Sequence, residues 1–171
     1  MESNLKFNSH KDIYALIGYA IAEWQNIETG LLINYWGFIG DASFPVVTSA
    51  FFAVTSFSAK LEMTKKAGVM ALQHNQKLQK EWEILCNRCE KLNNKRNHIA
   101  HFSLHSAPLE MPSGSEAIVG PHFLNTAAIL RWGNKPPTYN KTQLKSLINE
   151  TDILFKDLME FSEIMGKQTS S

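Results

Sequence analysis

The sequence predicts an all-α fold, a bundle of four to five helices with a long irregular crossover before the last helix. Three observations favour it. Apolar residues recur every three or four positions over most of the chain, and capping residues precede these stretches. Five of the six prolines fall between residues 104 and 137. We therefore expect a single helical domain over residues 1–171, in which 104–137 is an irregular insert.

The first helix is predicted over residues 11–38. Its apolar positions have the spacing of one helix face: Ile13, Leu16, Ile17, Ala20, Trp24, Ile27, Leu31 and Tyr35. Ser9 is a candidate N-cap, and Gly37 and Gly40 mark the predicted exit from the helix.

Two further helices are predicted before the crossover. One begins at Pro45, because proline is favoured in a first turn, and runs towards Ala71 with Gly68 weakening its end. The next runs from about Gln76 to Phe102, with Asn75 as its cap.

The crossover contains two short apolar runs, Ala117–Val119 and Ala127–Trp132. They either pair as a small hairpin or pack as an ordered loop. The last helix is predicted from about Asn140 to Met165, since Asn140 and Gln143 have the spacing of a capping box.

Composition excludes several classes of protein. The chain has 17 basic and 16 acidic residues, a net charge of +1 that excludes a histone-like polycation. Two cysteines do not form a disulfide framework, and residues 1–11 have no apolar core of a secretory signal, so we expect a cytoplasmic protein. Residues 42–59 are uncharged but contain Pro45 and six hydroxyl side chains, which favours a buried helix over a membrane span.

Arg96 is predicted to project from the apolar face of the third helix. At about 100° per residue it shares this face with an apolar set: Trp82, Leu85, Cys86, Cys89, Leu92 and Ile99. Burying an unpaired guanidinium costs several kcal/mol, so we expect an anion beside it. Glu28, inside the apolar stripe of the first helix, is the predicted partner, either to fix helix register or as part of a site.

Asn97 and His101 are four residues apart and share a neighbouring face of the same helix. Ala100 lies between Arg96 and His101 and leaves a small surface over which a ligand or a second subunit can approach. Arginine binds phosphate oxygens in pairs, and histidine titrates near neutrality. This set can hold a phosphate and move a proton.

The run Arg-Asn-x-x-x-His at residues 96–101 resembles the motif of the HEPN superfamily (higher eukaryotes and prokaryotes nucleotide-binding). Trp24-Gln25-Asn26-Ile27-Glu28 followed by Leu31 also resembles the first helix of small bacterial HEPN proteins. The resemblance implies a metal-independent endoribonuclease that forms a homodimer, acts as a toxin or phage-defence effector and uses no cofactor. RNA and an antitoxin protein are the implied partners. The alternatives are a catalytically silent HEPN-like module that binds a nucleotide or a protein, and a structural bundle in which Arg96 only pairs with Glu28.

In the ribonuclease interpretation Arg96, His101 and Asn97 are catalytic. His101 exchanges a proton with the 2′-OH or the leaving oxygen, Arg96 stabilises charge on the phosphate, and Asn97 orients the phosphate or His101. Lys95, Lys60 and His98 are the remaining binding candidates, although Lys95 and His98 can equally be surface residues.

A zinc site is not expected, although Cys86-x-x-Cys89 and His98-x-x-His101 resemble a ligand set on paper. All four residues would lie on one helix, and Cys89 and His98 would be separated by about 13 Å of rise, too far for one tetrahedral ion. We expect both cysteines in the core.

Overall fold

A computed structural model of the protein describes the backbone of residues 2–101, 103–105, 118–120 and 139–169, and the side chains of residues 11–100 and 139–167. These residues form five α-helices and one pair of short strands. In chain order the elements are α1 (Glu2–Ile39), α2 (Phe44–Ala53), α3 (Phe57–Ala71), α4 (Gln76–His101), β1 (Ser103–His105), β2 (Ile118–Gly120) and α5 (Lys141–Thr169). The predicted all-α bundle is confirmed.

The chain divides into two compact units. The first contains Met1–Glu23 and Asn94–Asn149, and the second contains Trp24–Asn93 and Glu150–Ser171. Helices α1, α4 and α5 each contribute residues to both units. The single domain over residues 1–171 stays a prediction.

Helix α1 begins at Glu2, well before the predicted start, so Ser9 lies inside the helix and is not its N-cap. The predicted exit is confirmed. The backbone N–H of Gly40 donates to the carbonyl of Trp36 at 3.2 Å, and Gly40 has φ +78°. A residue without a Cβ adopts this left-handed conformation at little cost, which explains why α1 stops there.

The single helix predicted from Pro45 to Ala71 is wrong, because the chain leaves helical geometry between α2 and α3. Val54 has extended angles (φ −81°, ψ 114°), and Ser56 is extended as well. The Ser56 hydroxyl accepts a hydrogen bond from the backbone N–H of Ala59 at 3.4 Å and so caps α3. The apolar pattern continues across this break, so the pattern alone does not indicate that Ser56 caps a new helix.

The other predicted caps are confirmed. The Asn75 side chain accepts a hydrogen bond from the backbone N–H of Leu78 at 3.2 Å. Asn140 and Gln143 form a reciprocal capping box, with both hydrogen bonds at 2.9 Å. These caps satisfy N–H groups that a helix start leaves without an internal partner.

The first apolar run of the crossover does form a strand, but its partner differs from the predicted one. Strand β2 pairs antiparallel with β1, directly after α4, with Ser103 opposite Gly120. The second run, 127–132, lies outside the described residues.

Gly68 marks a close approach of α3 to α4 in the second unit. A Cβ at this position would overlap the indole of Trp82. That indole is fully buried and also contacts the rings of Phe38 and Phe161, with centroids 4.9 and 5.4 Å away. The glycine therefore allows a tryptophan to fill the core at the point where the helices meet.

No helix in the described part of the chain is long and apolar enough to cross a membrane.

We expect Gly68→Ala to lower the free energy of unfolding by about 1–3 kcal/mol, because the new methyl group displaces Trp82 from its packing. Urea denaturation followed by circular dichroism measures the change. Gly18→Ala is the matched control, since no atom lies within 4 Å of a Cβ at that exposed position of α1. It should raise stability by up to about 1 kcal/mol through helix propensity alone. Equal effects of the two substitutions would contradict the packing role of Gly68.

Candidate functional site

Helix α4 has the apolar face that the sequence predicted. Six residues of this face are buried: Trp82, Leu85, Cys86, Cys89, Leu92 and Ile99. Arg96 lies between Leu92 and Ile99 along the helix and is half-buried. Its long apolar stem suits this position, since arginine commonly buries its methylene groups and places the guanidinium at a boundary.

The guanidinium of Arg96 is only partly satisfied by the described residues. Its Nη1 donates to Oδ1 of the adjacent Asn97 at 3.1 Å, whereas its Nε is buried and has no hydrogen-bond partner. A buried donor without an acceptor costs about 1–3 kcal/mol. Because Nη1 donates to Asn97, the edge of the guanidinium formed by Nε and Nη2 is the one that can bind two oxygens of one anion.

His101 is the last residue of α4, five residues after Arg96. By helix geometry its backbone lies about 7.5 Å further along the axis. Its side chain lies outside the described residues, so its predicted catalytic role stays a prediction. Asn97 is half-buried and Ala100 is exposed, as expected for a small residue that leaves the surface open.

His98 has a partner that the sequence did not reveal. Nδ1 of His98 lies 3.2 Å from the hydroxyl of Tyr139, and the two rings are 6.4 Å apart. His98 is half-buried, less exposed than the helical wheel predicted, and its role in binding stays a prediction. Tyr139 lies immediately before the capping box of α5, and no motif marks it.

Glu28 and Lys60 form a buried ion pair in the second unit. The ammonium of Lys60 donates to Oε2 of Glu28 at 2.5 Å, and the side chains are only 7% and 15% exposed. The predicted pairing of Glu28 with Arg96 is therefore wrong, because the cation that Glu28 binds is Lys60. Lys60 thus makes an internal contact that the sequence did not predict, and its role in binding a ligand stays a prediction.

Two phenyl rings complete the surroundings of Lys60. Its Nζ lies 4.8 Å from the centroid of Phe52 and 5.3 Å from that of Phe51. Both rings present their negative faces to a cation and exclude water from it. Helices α1, α2 and α3 are thus joined around one ammonium group.

Three other basic side chains of α4 differ in environment. Lys95 is half-buried, whereas Lys91 is exposed. Arg88 donates to Asp157 on α5 at 2.5 Å, and both side chains are partly exposed. Lys95 remains a binding candidate on the same helix as Arg96.

Both cysteines lie in the core, as predicted, and neither forms a disulfide. Burial raises the pKa of the Cys86 thiol to about 12, and it raises the pKa of Cys89 as well. Such thiols stay protonated near neutral pH and are poor ligands and nucleophiles. Within the described residues no group of three or more His, Cys, Asp or Glu side chains could hold a metal ion.

No protein-family model matches the chain, and neither a curated protein nor a solved structure matches it. The resemblance to the HEPN superfamily therefore remains a prediction from residues 24–31 and 96–101.

We expect Lys60→Met or Glu28→Gln alone to destabilise the protein by about 3–5 kcal/mol, because each leaves a buried charge without its partner. The double variant Lys60→Met/Glu28→Gln should be less destabilised than the sum of the two effects, since it buries no charge. Urea denaturation measures all three.

Lys66→Met is the control for this prediction. Lys66 pairs with Glu62 at 3.2 Å on an exposed face of α3, and its loss should change stability by at most about 1 kcal/mol. A similarly small effect of Lys60→Met would contradict a structural role for the buried pair.

We expect both thiols to react with Ellman's reagent at pH 8 only after unfolding in urea, because burial protects them in the folded protein. Stability should also depend on pH. The ordinary thiol pKa is 9.0, and in the folded protein that of Cys86 is about 12. The unfolded chain therefore loses its protons first, and the free energy of unfolding falls as pH rises from 9 towards 12. Rapid labelling of the native protein would contradict the predicted protection of the two thiols.

Proposed function

We propose that the protein is a metal-independent endoribonuclease in which Arg96 binds the scissile phosphate. The observation that supports this most directly is the buried Nε of Arg96, which has no hydrogen-bond partner among the described residues. Buried polar groups in folded proteins nearly always have partners, and the exceptions concentrate at functional sites. A phosphate oxygen is an acceptor of the required charge and shape.

Asn97 supports this assignment by fixing the guanidinium. Its Oδ1 accepts a hydrogen bond from Nη1 of Arg96 at 3.1 Å. The opposite edge of the guanidinium, Nε and Nη2, is then oriented before a ligand arrives. Donors held in place in this way stabilise charge that develops on phosphate oxygens without reorganising during the reaction.

His101 completes the proposed chemistry. It lies one helical turn after Asn97 on the same face of α4. RNA supplies its own nucleophile, the 2′-OH, and His101 would accept its proton or protonate the leaving 5′ oxygen. The bond between phosphorus and the 5′ oxygen breaks as the bond between phosphorus and the 2′ oxygen forms. The expected product is a 2′,3′-cyclic phosphate.

A second copy of the chain belongs to this proposal. The HEPN resemblance implies a homodimer, and a two-fold axis near the end of α4 would bring two copies of Arg96 and His101 to one phosphate. Toxin or phage-defence biology and an antitoxin partner follow from the same resemblance.

The geometry of Arg96 also suits a second function, the binding of a nucleotide phosphate without cleavage. The buried Nε, without a partner in the described part of the chain, would serve a bound phosphate equally well in a catalytically silent module. The two functions differ only in whether the bound phosphate undergoes attack.

We expect the wild-type protein to cleave RNA in EDTA and to leave 2′,3′-cyclic phosphate ends. Arg96→Ala and His101→Ala should each lower the cleavage rate by at least about 100-fold, since one removes charge stabilisation and the other removes proton transfer. Gel analysis of labelled RNA, with phosphatase resistance of the product ends, measures both effects.

Arg88→Ala is the matched control, because it removes the same side chain from the same helix at a site where Asp157 binds it. It should cleave RNA at nearly the wild-type rate. All variants are first compared with wild type by circular dichroism and size-exclusion chromatography. Equal cleavage by all four proteins would contradict the proposal. No cleavage, together with nucleotide binding that is lost in Arg96→Ala, would identify the binding module instead.

A further inference from the structure

Helices α3 and α4 enclose a small cavity of about 200 Å³ in the second unit. Its floor is formed by three buried residues, Leu61, Cys86 and Asn93. Its rim is formed by Ser58, Glu62, Lys65 and Glu90. The cavity thus combines an apolar floor, one buried amide and charges of both signs.

Asn93 is the residue that distinguishes this cavity from an ordinary surface depression. It is only 6% exposed, and its Oδ1 has no hydrogen-bond partner within the described residues. Buried amides usually use both of their polar atoms, so this acceptor has unused capacity. Asn93 lines the cavity, and rotation about its soft χ2 torsion would turn Oδ1 towards a ligand bound there.

The charges on the rim are not paired with one another. Glu62 binds Lys66 on the exposed side of α3 at 3.2 Å. Lys65 and Glu90 lie on the same rim, but among the ion pairs of the described residues there is none between these two side chains. Opposite charges that line one small cavity without touching leave room for a molecule that carries both signs.

The charges also lie close to the cavity floor. Desolvation is the main cause of the raised pKa of the Cys86 thiol, with Lys65 opposing it and Glu62 adding to it through their charges. A ligand on this floor would therefore experience both the ammonium group and the carboxylate.

We propose that this cavity binds a free α-amino acid with a small apolar side chain. The ligand's ammonium group donates to Glu90 and to Oδ1 of Asn93. Its carboxylate accepts hydrogen bonds from Lys65 and the Ser58 hydroxyl. Its side chain rests on Leu61 and Cys86. The cavity volume equals that of about seven waters at about 30 Å³ each, which suits a ligand the size of alanine or valine.

Ligands with one sign of charge fit less well. An amine alone would face the ammonium group of Lys65, and a carboxylate alone would face Glu62 and Glu90. Like charges at short range are costly when water is partly excluded. A zwitterion satisfies both signs and the buried amide together.

The test is a titration of ¹⁵N-labelled full-length protein with L-alanine and L-valine, followed by NMR at the side-chain amide of Asn93. Alaninamide supplies the ammonium group without the carboxylate, and N-acetylalanine supplies the carboxylate without the ammonium group. We expect saturable shifts of the Asn93 amide with at least one free amino acid, and binding at least about tenfold weaker for both analogues.

Two variants of the rim test the assigned contacts. Lys65→Met and Glu90→Gln should each weaken binding of the amino acid at least about tenfold. The matched controls are Lys77→Met and Glu81→Gln, whose side chains form an exposed pair at 4.0 Å elsewhere on α4. Both controls should bind as the wild type does.

Each opposing outcome overturns the proposal. Absence of any shift of the Asn93 amide at millimolar amino acid would exclude the site. Equal binding of alaninamide would identify a cation site, and equal binding of N-acetylalanine would identify an anion site. Because the readout needs no RNA, its result is independent of the proposed ribonuclease activity.

Discussion

The buried ion pair between Lys60 and Glu28 is the constraint around which the second unit is organised. Two charges with so little exposure are tolerated only while each satisfies the other. Their contact fixes α3 against α1, and the phenyl rings of Phe51 and Phe52 bring α2 to the same ammonium group. Apolar packing alone would allow these helices to slide or rotate, whereas a hydrogen-bonded pair has one geometry.

Helix α4 joins this packing to the candidate chemistry. One part of its face places Trp82 against Gly68, where only a glycine permits the approach. The same face continues to Arg96, whose guanidinium is held by Asn97 and whose buried Nε has no acceptor among the described residues. A rigid helix is a suitable support for such a group, because an anion site gains most when its donors are fixed in advance.

The site was predictable where it depends on one helix. A wheel places Arg96, Asn97 and Ala100 from the sequence, because side-chain direction along a helix follows from its period. The wheel also places Glu28 on a core-facing stripe. It does not reveal which cation meets Glu28, since both Lys60 and Arg96 suit that carboxylate. Tyr139, the partner of His98, lies outside any periodic segment and could not be inferred from spacing.

The amino-acid sequence is sufficient to predict the all-α class, the ends of helices marked by Asn75, Asn140 and Gly40, and the burial of both cysteines. These features depend on local hydrogen bonds and on the period of apolar residues. The break between α2 and α3, the contact of Gly68 with Trp82 and the pairing of Lys60 with Glu28 arise from the packing of helices against one another. Each of these depends on which helix lies opposite, and the pattern of a single helix does not contain that information.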